Sequence, residues 1–145
     1  MAGEGVDLKL RLFLREGSIY YFTERSLTSP EPHYFIVVNS DPLAQKLLLL
    51  SVVTSQVDSV KLRRKACPET LVELSPAVCD VFRKNCIVDC NDLKTIALAE
   101  FNTRFVREKF HCYKDLPTAL RKALRKAIHA SMILSDEQKA LVAKP

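Results

Sequence analysis

Glycine is scarce, with three residues in a chain of 145. A glycine-rich loop that brings backbone N–H groups onto phosphates therefore cannot be built, and no P-loop motif is present. The GxSxG and HExxH patterns are missing as well. A nucleotide-dependent enzyme is not expected. Metal spacing is also wanting. The five cysteines (Cys67, Cys79, Cys86, Cys90 and Cys112) form no CxxC pair, and Cys86 and Cys90 have no paired histidine nearby. His33, His111 and His129 lie far apart along the chain. No metal or cofactor is expected, and small buried thiols are the reading of the cysteines.

Long apolar runs are absent too. The longest, Leu47–Leu50, continued by Val52 and Val53, falls far short of the ~18 residues that span a bilayer. Met1 to Gly5 has neither the basic nor the apolar region of a secretory signal. An odd cysteine count without such a signal implies reduced thiols. The expectation is a cytoplasmic protein with no membrane contact.

What is present fits one folded domain over 1–145: 48% of residues are apolar and 27% charged. The formal charge of +5 is unevenly placed. From Arg104 to Lys126 eight Lys and Arg stand against two acids, Glu108 and Asp115. Lys61, Arg63, Arg64 and Lys65 form a second basic group. Such patches concentrate polyanions, so a nucleic acid is a natural partner class, and a solvated charged face is the alternative.

Residues Val6 to Arg15 alternate apolar and basic, which favours a strand or irregular edge over a short helix. Ile19–Phe22 is β-rich, and Thr23–Pro32 is a loop long enough to be functional. Tyr34–Val38 and Leu47–Val53 read as neighbouring strands buried on both faces. Val57–Glu69 reads as a basic connector, Leu71–Leu74 as a short strand, and Cys86–Cys90 as another strand leading into Leu93–Ala99. From Pro117, Leu120, Leu124 and Ile128 mark an amphipathic helix with Asp115 placed to cap it. Ser135 to Gln138 has capping-box spacing. Several short strands precede basic helices.

Chemistry then concentrates at strand ends. His33 opens the Tyr34–Val38 strand, and Thr54-Ser55-Gln56 ends Leu47–Val53. Paired strands would bring an imidazole, two hydroxyls and an amide to one rim beside the basic connector. Cleaving RNA without metal requires a base for the 2′-hydroxyl, an acid for the 5′-oxygen and donors for the phosphorane. The alternative is that these residues only terminate and cap strands.

Four blocks in this region resemble the MazF/PemK toxin family, in order over residues 17–96. Gly17–Phe22 is similar to that family's first barrel strand, and Pro32–Asn39 to its His/Thr-Arg-Pro block and following strand. Leu50–Gln56 resembles the strand ending Thr-Thr/Ser-Gln, and Ile87–Ile96 the late strand ending Arg/Lys-Thr/Ser-Ile. The resemblance implies a mainly β fold, an SH3-like small barrel over about 6–100, with a basic helical extension over about 101–145. It implies a homodimeric endoribonuclease that cuts single-stranded RNA without metal and is neutralised by a small acidic antitoxin. Thr54, His33 and Arg25 are then the expected catalytic residues. Ser55, Gln56, Arg63, Arg64 and Lys94 are the expected RNA contacts. The family's catalytic arginine falls on Tyr34, and its late-strand Arg and Asp fall on Asp89 and Asn91. Those departures leave a second expectation, a barrel that binds RNA or protein without cleaving it.

Overall fold

Continuous apolar strands need cover on both faces, and this chain supplies it with helices. A computed structural model describes residues 5–25, 27 and 31–145. Its strands are β1 (Ile19–Phe22), β2 (His33–Val37), β3 (Leu47–Thr54), β4 (Leu71–Leu74), β5 (Cys86–Ala97) and β6 (His111–Tyr113). They form one antiparallel sheet in the order β4-β5-β3-β2-β1-β6. The helices are α1 (Leu8–Phe13), α2 (Pro42–Gln45), α3 (Val57–Arg63), α4 (Leu98–Glu108), α5 (Thr118–Ala130) and α6 (Asp136–Ala140).

Side chains alternate between two cores. On one face Ile19, Ile36, Leu49, Val53 and Val88 meet Leu124, Ala127 and Ile128 of α5. On the other, Tyr20, Phe22, Phe35, Leu48 and Leu50 meet Leu10 of α1 with Phe101 and Phe105 of α4. The expected pairing of the two most apolar segments holds, as β2 beside β3.

Several expectations need correction. The segment from Val6 is helical, not extended. Asp7 caps α1 by accepting from the Lys9 N–H, and Leu10 and Leu14, four apart, are the buried pair. The basic connector contains α3 and a 3₁₀ turn, Pro68–Thr70. Helix begins at Leu98, before the expected extension, and that extension contains a strand, β6. Asp115 does not cap α5; its carboxylate accepts from Arg15 Nε at 2.5 Å. The sheet is open, with β4 and β6 at its edges, because helices rather than sheet closure bury its faces.

One irregularity shapes the site. Two steps along β3, from Val53 to Ser51, correspond to five along β5, from Val88 to Leu93. The extra residues bulge β5 at Asp89–Asp92 and aim polar side chains where a regular strand would continue the ladder.

Candidate functional site

Register puts the imidazole and the hydroxyl together. Tyr34 pairs with Val53 across β2 and β3, so His33 and Thr54 are the next residues along an antiparallel ladder. Both share the sheet face of Phe35 and Leu50. Beyond the last apolar layer they line a cleft of about 340 Å³, together with Gln56, Ser59, Arg63 and Asp89.

Hydrogen bonds fix their chemical state. His33 Nδ1 lies 2.8 Å from the Glu31 carbonyl oxygen. A carbonyl can only accept, so Nδ1 carries the proton, and in the neutral ring Nε2 keeps its lone pair. Thr54 Oγ1 accepts from the Gln56 N–H at 3.1 Å, leaving the hydroxyl proton to donate elsewhere.

The basic rim is less free than its sequence suggests. Arg63 Nη2 and Arg64 Nε both donate to Asp89 Oδ2, at 3.2 and 2.9 Å. Asp89 is buried at the bulge, and its other oxygen accepts from the backbone N–H and the amide of Asn91. Burial alone would raise its carboxyl; the hydrogen bonds from Arg64, Asn91 and Arg63 outweigh that and hold it below the usual carboxylate range. The polar chain continues inward. Asn91 donates to Thr70 Oγ1 at 2.7 Å and accepts from Ser131 Oγ at 2.6 Å. Ser131 ends α5, so the bulge ties the cleft to the helical layer.

The expected residues therefore divide. His33, Thr54, Gln56 and Arg63 line the cleft. Ser55 is exposed directly beside Thr54. Arg64 is a structural partner of Asp89, with its side chain only 22% exposed. Lys94 approaches Asp92, itself a lining residue, at 3.9 Å. Arg25 stands apart, in a different cleft with Glu100, Thr103 and Arg107 of α4. The cause is local: Arg104 donates to the Thr23 carbonyl at 2.8 Å and reaches Glu24 at 3.4 Å, anchoring the start of that loop on α4. Tyr34 points to the opposite face and packs against Phe82, Tyr113 and Tyr21.

Sequence reasoning assigned no role in the cleft to Asp89, Asp92 or Ser59. A signal that Asp89 has a cationic partner was available, since a carboxylate inside Ile87-Val88-Asp89-Cys90 needs a cation, but sequence distance did not single out the Lys61–Lys65 group. Among the described residues no three or more His, Cys, Asp or Glu side chains gather as a metal site requires. No helix among them is long and apolar enough to cross a membrane. Compared with family models and with curated proteins, the chain matches none of them.

Proposed function

We propose that this chain is an endoribonuclease acting on single-stranded RNA without a metal ion, a divergent relative of the MazF/PemK toxins. The observation that carries the reading is the meeting of His33 and Thr54 over one cleft with Arg63 at its side. His33 Nε2 takes the proton of the ribose 2′-hydroxyl, and the freed oxygen attacks the adjacent phosphorus. Thr54 Oγ donates to a non-bridging oxygen of the phosphorane, and Arg63 adds N–H donors not engaged by Asp89. The P–O5′ bond breaks, the 5′-oxygen takes a proton from water, and a 2′,3′-cyclic phosphate remains. Gln56 and Ser55 hold neighbouring parts of the strand. Under this reading the open sheet is a divergent form of the SH3-like barrel. A homodimer and a small acidic antitoxin follow from the same resemblance, and a cytoplasmic setting is in keeping with it.

Purified protein incubated with single-stranded RNA in chelator should give fragments ending in cyclic phosphate. General acid–base contributions of about 10²–10⁴-fold are typical, so His33→Ala should slow cleavage by at least about a hundredfold, and Thr54→Ala by a comparable factor. Intact RNA with the wild-type protein overturns the enzyme reading.

A second reading, RNA binding without cleavage, is favoured by two observations. Tyr34 faces away from the cleft, and Asp89 and Asp92 place carboxylates in its lining. Salt-sensitive binding of uncut RNA, weakened by Arg63→Ala, would select it.

A further inference from the structure

A larger cleft, of about 590 Å³, opens at the β6 edge of the sheet between α1 and the end of α4. It shares no lining residue with the His33–Thr54 cleft. We propose that it is a nucleotide-binding site, holding a nucleobase against aromatic rings and its phosphate on lysines. The site goes beyond the cleavage reading and does not depend on it.

Three observations converge there. The volume lies inside the range of roughly 300–1,000 Å³ typical of small-ligand clefts. The walls are aromatic: Phe13, with 51% of its surface exposed, lines the cleft beside the largely buried Phe105 and Phe110. A ring left half in water beside a cleft gains by stacking on a flat ligand, and base–aromatic stacking tolerates any base.

Cations surround those rings. Lys9, Arg15, Lys109 and Lys114 face a single lining acid, Asp115. Asp115 is bound to Arg15, and Lys114 is paired with Asp80. Lys9 and Lys109 have no ion pair among the described residues, so they are the pair available to a phosphate. Lys109 is fixed in position by its left-handed backbone, φ 53°, where its N–H caps α4 on the Phe105 carbonyl.

Tyr20 forms part of the cleft's lining, and its hydroxyl is turned inward, with the Cys112 thiol and the Ser18 hydroxyl as its polar neighbours. Tyr20 is fully buried, held edge-on by Phe101 and Phe105. Cys112 stands opposite Tyr20 in the β1–β6 register and lines the same cleft, the small side chain beside that hydroxyl's strand. No glycine cradle is involved, which suits a chain with so few glycines.

Calorimetric titration of the full chain with adenosine 5′-monophosphate tests this, with adenosine and inorganic phosphate as separate halves. Base–aromatic stacking is worth about 1–3 kcal/mol, so Phe13→Ala should weaken AMP binding at least about fivefold. The same change should leave Tm nearly unchanged, because the ring is half exposed. Lys109→Ala, on the surface, should weaken binding similarly, and more at low salt. Thr54→Ala should leave it intact. Five-nucleotide RNAs with and without a 5′-phosphate distinguish a free nucleotide from a strand end: preference for the phosphorylated RNA over AMP assigns the site to strand ends and supports the nucleotide chemistry. Absence of binding by both AMP and the phosphorylated RNA overturns the proposal. So does AMP binding that is unchanged in Phe13→Ala and Lys109→Ala, or lost in Thr54→Ala.

Discussion

At Asp89, burial and charge pull in opposite directions, and two guanidiniums decide the outcome. A carboxyl held below its ordinary value stabilises the fold. That contribution is complete above the unfolded value, about 3.9, and is lost as pH falls through the lower folded value. Arg64→Ala removes the 2.9 Å hydrogen bond and leaves Arg63 and Asn91. Hydrogen bonds to charged groups are worth about 1.5–3 kcal/mol, so a loss of about 1–3 kcal/mol is expected in urea unfolding near pH 7. The deficit should shrink as pH falls through the lowered folded value of Asp89, where its carboxylate takes up a proton. A deficit that stays constant as pH falls would show that Arg64 acts through packing instead. At this scale the sequence was informative about His33, Thr54, Gln56 and Arg63, because strand-end position and residue type sufficed. Arg25, expected in the catalytic set, stands in a different cleft, and its place depends on Arg104, some eighty residues on. The pairing of Arg64 with Asp89 was hidden for a similar reason: a cation that neutralises a buried acid and one that meets a phosphate look alike in one dimension.

Among the elements, the strands were the legible part, since runs such as Tyr34–Val38 and Leu47–Val53 have few alternatives to burial in a sheet. The capping box before α6 was legible too. Two failures have physical causes. In α1 the apolar residues recur every two positions, yet only Leu10 and Leu14 are buried, so the repeat that matters was hidden by exposed Leu8 and Leu12. The β5 bulge left no signal, because a bulge is a relation between two strands. One turn residue carries a testable load. Gly17 has φ +92°, its N–H donates to the Val37 carbonyl, and its carbonyl accepts from the Leu116 N–H. An added Cβ would stand 2.5 Å from Arg121 Cδ. Left-handed backbone at a non-glycine residue costs about 1–3 kcal/mol, so Gly17→Ala should lower stability by about that amount in thermal or urea unfolding. An unchanged midpoint would refute the strain.

Over the whole molecule, the basic character of the sequence is redistributed by folding. Of the cations between Arg104 and Lys126, Arg104 and Arg107 are taken up by Glu108, Lys114 by Asp80, and Arg125 by Glu16 through two hydrogen bonds. Four of these eight cations are thus paired, Arg104 and Arg107 within α4 and Lys114 and Arg125 with acids distant in sequence. Positive charge also stands beside the two clefts, through Arg63 at one and Lys9 with Lys109 at the other. Covering both sheet faces with helices also explains why barrel closure is not required to bury the apolar strands. The proposed function seats RNA where β2 begins and β3 ends. Its most direct test is an NMR titration of labelled protein with a short RNA blocked at the 2′-oxygens, so that binding proceeds without cleavage. Shifts are expected at His33, Thr54, Gln56, Ser59 and Arg63, growing weaker as salt rises. Shifts confined to the outer face of α5, or none at any of those five residues, would contradict it.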